Sequence, residues 1–86
     1  MPVICRFYGI IITLYYNEHN PPHFHAIYGE FSAEVDIRNL QILKGELPKR
    51  AKALVLEWAE EHRDALIEDW DLARKNQELK EIEPLK

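Results

Sequence analysis

The sequence lacks several features on which small proteins commonly depend. Its single cysteine, Cys5, cannot form a disulfide within the chain, and a cysteine-based zinc site is excluded. No repeat, low-complexity segment or linker interrupts the 86 residues, which leave room for one domain. The longest apolar stretch, residues 10–16, is too short to span a membrane, and the N-terminus lacks the charged-then-apolar layout of a signal peptide. We therefore expect a cytoplasmic protein, which agrees with the scarcity of cysteine.

Positive charge is scarce as well. The chain has 11 Lys and Arg residues against 15 Asp and Glu, a net charge of −4, which disfavours a general nucleic-acid binder. The cations that are present cluster at the predicted start of a helix, where positive charge opposes the helix dipole; they are Lys44, Lys49, Arg50 and Lys52. This basic patch is consistent with an ordinary solvated surface, with an anionic partner, or with a DNA-binding regulator.

The residues that are present divide the chain into two chemically different halves. Residues 1–46 are rich in β-branched and aromatic residues, which is typical of strands; these are predicted at residues 3–7, 10–16, 23–28, 31–37 and 41–43. From Pro48 apolar residues recur every three to four positions, which indicates helix over residues 47–76 with a bend near residues 62–64. Residues 77–86 are predicted to form an extended tail that either docks on the core or awaits a partner.

This change of period predicts the fold class. We expect one α+β domain over residues 1–86, in which a small antiparallel sheet of about three to five strands is packed by one or two C-terminal helices. Gly29 and Glu30 predict a two-residue hairpin turn, which fixes the pairing of the flanking strands. In that register Phe24 lies opposite Val35, and both belong to an apolar face that we expect the helices to cover.

The opposite face of the same hairpin carries the candidate functional residues. The register pairs His25 with Glu34 and His23 with Asp36, with Cβ atoms about 4.5–5.5 Å apart across the strands. His19 lies nearby on the preceding loop, which prolines make stiff. We expect this cluster on the solvent side of the sheet, away from the helices.

Three interpretations of the cluster remain open on the residues alone. His19, His23, His25, Glu34 and Asp36 can ligate a divalent metal, either zinc or iron in a two-histidine, one-carboxylate site. Alternatively, a carboxylate that orients an imidazole supports general acid–base chemistry. The third interpretation is a set of plain cross-strand pairs, each contributing a few tenths of a kcal/mol (about 0.2–1) to stability.

Five short segments spread over nearly the whole chain form a pattern: Arg6-Phe7-Tyr8-Gly9-Ile10, His19-Asn20-Pro21-Pro22-His23-Phe24-His25, Tyr28-Gly29, Leu47-Pro48 and Leu56-Glu57-Trp58-Ala59. This pattern resembles the bacterial family catalogued as domain of unknown function 4160, and its Pro-Pro-His-Phe-His segment is specific. The resemblance implies a small stand-alone protein in which the histidine segment matters. Because genes of this family often neighbour those of another small family, as in two-gene toxin–antitoxin modules, it also implies a small protein partner encoded nearby. The resemblance does not indicate a catalytic activity.

These observations lead to three functional hypotheses of different classes. The first is a protein-interaction component of a two-gene, toxin–antitoxin-like system that acts through its partner. The second is a metal- or histidine-dependent nuclease or hydrolase that works at the histidine–carboxylate cluster. The third is a DNA-binding regulator that uses the basic helix start. The sequence has no nucleophile triad, phosphate-binding glycine loop or zinc-finger spacing, which disfavours serine hydrolases, P-loop proteins and zinc fingers.

Overall fold

The computed structural model describes residues 2–86, and in these the N-terminal half forms an antiparallel sheet that two helices follow. The five strands lie side by side in chain order, so each pairs with the next along the sequence. The α+β fold that the sequence predicts is therefore confirmed. Within residues 2–86, neither helix is long and apolar enough to cross a membrane. The elements are β1 (Val3–Phe7), β2 (Ile10–Thr13), β3 (His23–Tyr28), β4 (Phe31–Asp36), β5 (Ile42–Glu46), α1 (Lys49–Glu61) and α2 (Arg63–Arg74).

The bounds of β1 and β3 agree with the predicted ones, β4 ends one residue earlier than predicted, and β2 and β5 differ more. β2 ends at Thr13, and beyond it the ring of Tyr15 packs against that of His25, with ring centroids 4.5 Å apart. β5 extends to Glu46 through Lys44 and Gly45, residue types that rarely favour strands. These residues form a strand because they pair with β4, although the local sequence does not favour one.

The predicted hairpin register is confirmed at every pair. His23 lies opposite Asp36, Phe24 opposite Val35, and His25 opposite Glu34. Gly29 has a φ of +58°, as a hairpin turn with glycine at its first central position requires.

Helix α1 covers the apolar face of the sheet, as expected. Trp58 is fully buried, and its ring lies 5.8 Å from that of Phe24 and 5.4 Å from that of Phe7. Val35 and Val55 are also fully buried, which places the core between this helix and the sheet. The prediction that this face of the hairpin is buried is confirmed.

Helix α2 follows a bend at His62, within the predicted range, and lies across the ends of the strands. Arg63 Nε donates to the carbonyl oxygen of Ile37 at 3.3 Å, and Arg74 Nη1 donates to Asn20 Oδ1 at 3.1 Å. Between these two anchors Trp70 packs on His23, with ring centroids 5.2 Å apart. α2 therefore reaches the histidine end of the sheet, which the sequence does not predict.

The C-terminal tail, residues 77–86, docks on the core, which is one of the two predicted alternatives. The backbone N–H of Ile82 donates to the carbonyl oxygen of Ile4 at 2.8 Å, so the tail lies beside the outer edge of β1. The indole N–H of Trp58 donates to the carbonyl oxygen of Glu83 at 2.8 Å.

Candidate metal centre

Three potential ligand groups converge at the start of β3. One ligand atom from each of Glu18, His23 and His25 lies within 4.8 Å of the other two. His25 Nε2 is 2.9 Å from Glu18 Oε1, and His23 Nε2 is 3.7 Å from the same oxygen. One carboxylate oxygen thus faces two imidazole nitrogens.

The local chain geometry explains the convergence. His23 and His25 are two residues apart on one strand, so their side chains point to the same face, with ring centroids 5.4 Å apart. Glu18 belongs to the loop between β2 and β3, which contains a cis peptide bond between Asn20 and Pro21. The loop folds back and brings the Glu18 carboxylate over the two rings.

The environment of His23 fixes its tautomer. Its Nδ1 lies 2.8 Å from the carbonyl oxygen of Pro21, which can only accept, so Nδ1 is the donor. In the neutral ring Nε2 then carries a lone pair. The His23 side chain is only 7% exposed, and Nε2 has no hydrogen-bond partner among residues 2–86. An unsatisfied buried nitrogen costs about 1–3 kcal/mol, which a bound cation would offset.

This arrangement is the usual one for a histidine that ligates a metal. Such a histidine donates its second ring N–H to a backbone carbonyl or carboxylate, which orients the ring and leaves the other nitrogen for the ion. His23 has that carbonyl in Pro21, and its Nε2 faces two carboxylates, Glu18 at 3.7 Å and Glu34 at 3.5 Å. With neutral imidazoles the two carboxylates make the site negative, which favours a cation.

The structure brings together some of the predicted site residues and separates others. His23 and His25 belong to the group of three, and Glu34 lies beside His23 but outside that group. His19 is exposed on the loop and is likewise outside the group. Asp36 faces the turn after β4, where its Oδ1 accepts from the backbone N–H of Arg38 at 2.7 Å and of Asn39 at 3.2 Å.

The expectation that the histidines lie on a solvated face is wrong for His23. It is only 6% exposed because Trp70 of α2 covers the end of the strand. His25 is more open, with 20% of its side chain exposed, and the Glu18 and Glu34 side chains are each 29% exposed. The cluster is therefore closed on the His23 side and open on the carboxylate side.

Sequence reasoning missed Glu18 because it considered only cross-strand partners. A residue five positions before His23 cannot be assigned to the site from strand register, since the loop conformation decides where its side chain lies. One signal was available: an acidic residue at the start of a short, proline-stiffened loop that leads directly into a His-x-His strand.

Comparison with known protein families gives a match over most of the chain. The family model described as domain of unknown function (DUF4160) matches residues 9–71, which include the loop, the His-x-His strand, Glu34 and Trp70. No curated protein and no solved structure matches the chain.

Proposed function

The chain belongs to the DUF4160 family, and from this premise we propose that it binds a divalent transition-metal ion, zinc or iron(II), through Glu18, His23 and His25. The observation that carries the proposal is the buried Nε2 of His23, which has no hydrogen-bond partner among residues 2–86 and lies close to the other two ligand groups. Two imidazoles and one carboxylate form the ligand set of many catalytic zinc and non-haem iron sites.

The spacing of the ligand atoms suits a tetrahedral ion. Ligand atoms about 2.0–2.1 Å from such an ion lie about 3.3 Å from one another. The two measured distances from Glu18 Oε1, 2.9 Å to His25 Nε2 and 3.7 Å to His23 Nε2, bracket that value. Small side-chain movements therefore suffice for the ion to enter.

Glu34 gives this centre a hydrolytic chemistry. A zinc ion held by these three protein ligands would still be able to bind a water molecule, as in catalytic zinc sites. Glu34 lies outside the group of three yet its Oε1 is 3.5 Å from His23 Nε2, so it suits the role of general base. An ion held by Glu18, His23 and His25 would supply Lewis-acid activation of water, and the Glu34 carboxylate would accept the proton that the water gives up and pass it to the leaving group. This favours the hydrolase hypothesis over the DNA-binding one.

Metal titration of the protein without a histidine tag tests the ligand set. Calorimetry of the metal-depleted protein should give a zinc site with one ion per chain. His23→Ala, His25→Ala and Glu18→Gln should each weaken zinc binding at least about tenfold, because each removes a ligand. His19→Ala is the matched control: it removes an exposed histidine from the same loop and should leave the affinity unchanged. Equal losses in His19→Ala and His23→Ala would contradict the proposed site.

The variant Glu34→Gln, measured beside the ligand variants, tests metal binding and hydrolysis separately. It should keep the zinc affinity of the parent and lose hydrolysis of 4-nitrophenyl acetate or bis(4-nitrophenyl) phosphate by about 100-fold or more. If it loses affinity as Glu18→Gln does, Glu34 is a fourth ligand, the site is closed, and the hydrolytic part of the proposal is wrong.

A further inference from the structure

A groove of about 420 Å³ lies between α1 and two hairpin turns, and none of its lining residues belongs to the proposed metal site. The floor is one face of the first two turns of α1, and the wall consists of one tyrosine from the β1–β2 turn and one from the end of β3. Tyr8, Tyr28, Arg50, Ala51, Leu54 and Glu57 line it, and the last two residues of the tail, Leu85 and Lys86, border it as well.

The two tyrosines are unusually placed for residues that serve only the fold. Tyr8 is 61% exposed and has a φ of +49°, a left-handed conformation that costs an aromatic residue about 1–2 kcal/mol. Glycine or asparagine would suit this turn position better. Tyr28 is 39% exposed, and its ring lies over Gly9. Exposed tyrosines beside an apolar floor are typical of protein interfaces, where they act as rigid anchors.

The charges of the groove indicate what it can hold. α1 begins without an acidic residue in its first turn and without a side-chain cap, and Lys49, Arg50 and Lys52 are all exposed there. Free backbone N–H groups and three cations make this end attractive to carboxylates. Glu57 lies seven residues further along, about 10 Å at 1.5 Å per residue, and Lys86 lines the groove there as well, so the two opposite charges offset each other. The chain as a whole carries a net charge of −4, so the basic end is a local exception.

We propose that this groove docks a segment of a partner protein that has acidic side chains next to aliphatic ones. The acidic side chains lie at Arg50 and the start of α1, and an aliphatic side chain packs between Tyr8, Tyr28 and Leu54. This surface is independent of the metal site and requires no metal.

Peptide titration of the isotope-labelled full-length protein tests the proposal. The probe is the blocked peptide Asp-Asp-Glu-Leu-Leu-Ser, and the comparison is Lys-Lys-Lys-Leu-Leu-Ser. The acidic peptide should shift the backbone amide signals of Tyr8, Gly9, Arg50 and Leu54 at millimolar concentration, and should bind more weakly as NaCl is raised from about 50 to 300 mM. The basic peptide should cause no shifts there.

Two variants and one matched control complete the test. Arg50→Glu and Tyr8→Gly should each weaken binding of the acidic peptide at least about tenfold. Tyr8→Gly also relieves the positive φ, so it should fold at least as well as the parent, which thermal unfolding checks. Lys75→Glu makes the same charge change at an exposed site outside the groove and should have no effect. Equal binding of both peptides, shifts that map elsewhere, or no shifts at millimolar concentration would each overturn the proposal.

Discussion

At the scale of single residues, burial changes the chemistry of side chains that look ordinary in the sequence. His23 and Asp69 are both buried polar residues, and each has one side-chain atom without a hydrogen-bond partner among residues 2–86. For His23 that atom faces two carboxylates, and the proposed metal site rests on this arrangement. For Asp69 it is Oδ2, while Oδ1 accepts the backbone N–H of Lys80 at 2.9 Å.

Asp69 makes the stability of the protein depend on pH. Burial, with a smaller contribution from the charge of Glu68, raises the pKa of the Asp69 carboxyl above its ordinary value of 3.8. A raised pKa means that the folded protein holds this proton over a pH range in which the unfolded chain has lost it. Stability from this group is therefore greatest at low pH and falls as the pH rises through the folded pKa.

The substitution Asp69→Asn keeps the acceptor for Lys80 and removes the charge. Urea denaturation gives the free energy of unfolding of this variant and of the parent. The value for the variant should rise relative to that of the parent as the pH rises from about 4 to 7. Asp71→Asn, at an exposed position two residues away, should show no such trend. A constant difference between Asp69→Asn and the parent at every pH would show that the carboxyl is not perturbed.

At the scale of the elements, the strand that sequence reasoning placed least well depends on a close backbone approach. Gly45 of β5 has a φ of +80°, and a Cβ there would lie 2.2 Å from the carbonyl oxygen of Ser32 on β4. Glycine is needed at this position for two reasons, its backbone conformation and the space. The alternation of apolar and polar residues, from which strands are predicted, reveals neither of these requirements. For this reason the predicted strand stopped at residue 43.

Gly45→Ala should therefore destabilise the protein by roughly 2–4 kcal/mol, because strain in the left-handed region and a clash with backbone both apply. Gly29→Ala is the matched control. Its φ is +58° and nothing lies within 4 Å of the added Cβ, so only about 1–2 kcal/mol of backbone strain is expected. Thermal and urea unfolding of both variants measures the difference. Equal costs would mean that β4 and β5 move apart freely at this point.

At the scale of the whole molecule, the C-terminal tail binds to three different elements, β1, α1 and α2. It bonds to β1 through Ile4, to α1 through the indole of Trp58, and to α2 through Asp69. Ile82 is the buried anchor of this segment, with 8% of its surface exposed. The tail thus contributes a buried side chain to the hydrophobic core.

Ile82→Ala should lower the free energy of unfolding by about 2 kcal/mol, near the lower end of the range for large-to-small core substitutions because the site is close to the surface. Glu81→Ala, at the exposed neighbouring position, should change it by less than about 0.5 kcal/mol. Urea denaturation gives both values. If Ile82→Ala were as harmless as Glu81→Ala, the tail would contribute no packing energy, and its docking would rest on hydrogen bonds alone.

The sequence alone determined the α+β class, the hairpin register, the buried face of that hairpin and the helix bend at His62. These features depend on local physics: a two-residue turn sets the pairing, and side chains alternate along a strand. Only the tertiary structure decided that His23 is buried beneath Trp70, that Asp36 bonds to a turn, and that Glu18 completes the cluster. Each of these depends on where a loop or a helix returns to the sheet, and that path is set by packing between residues far apart in the chain.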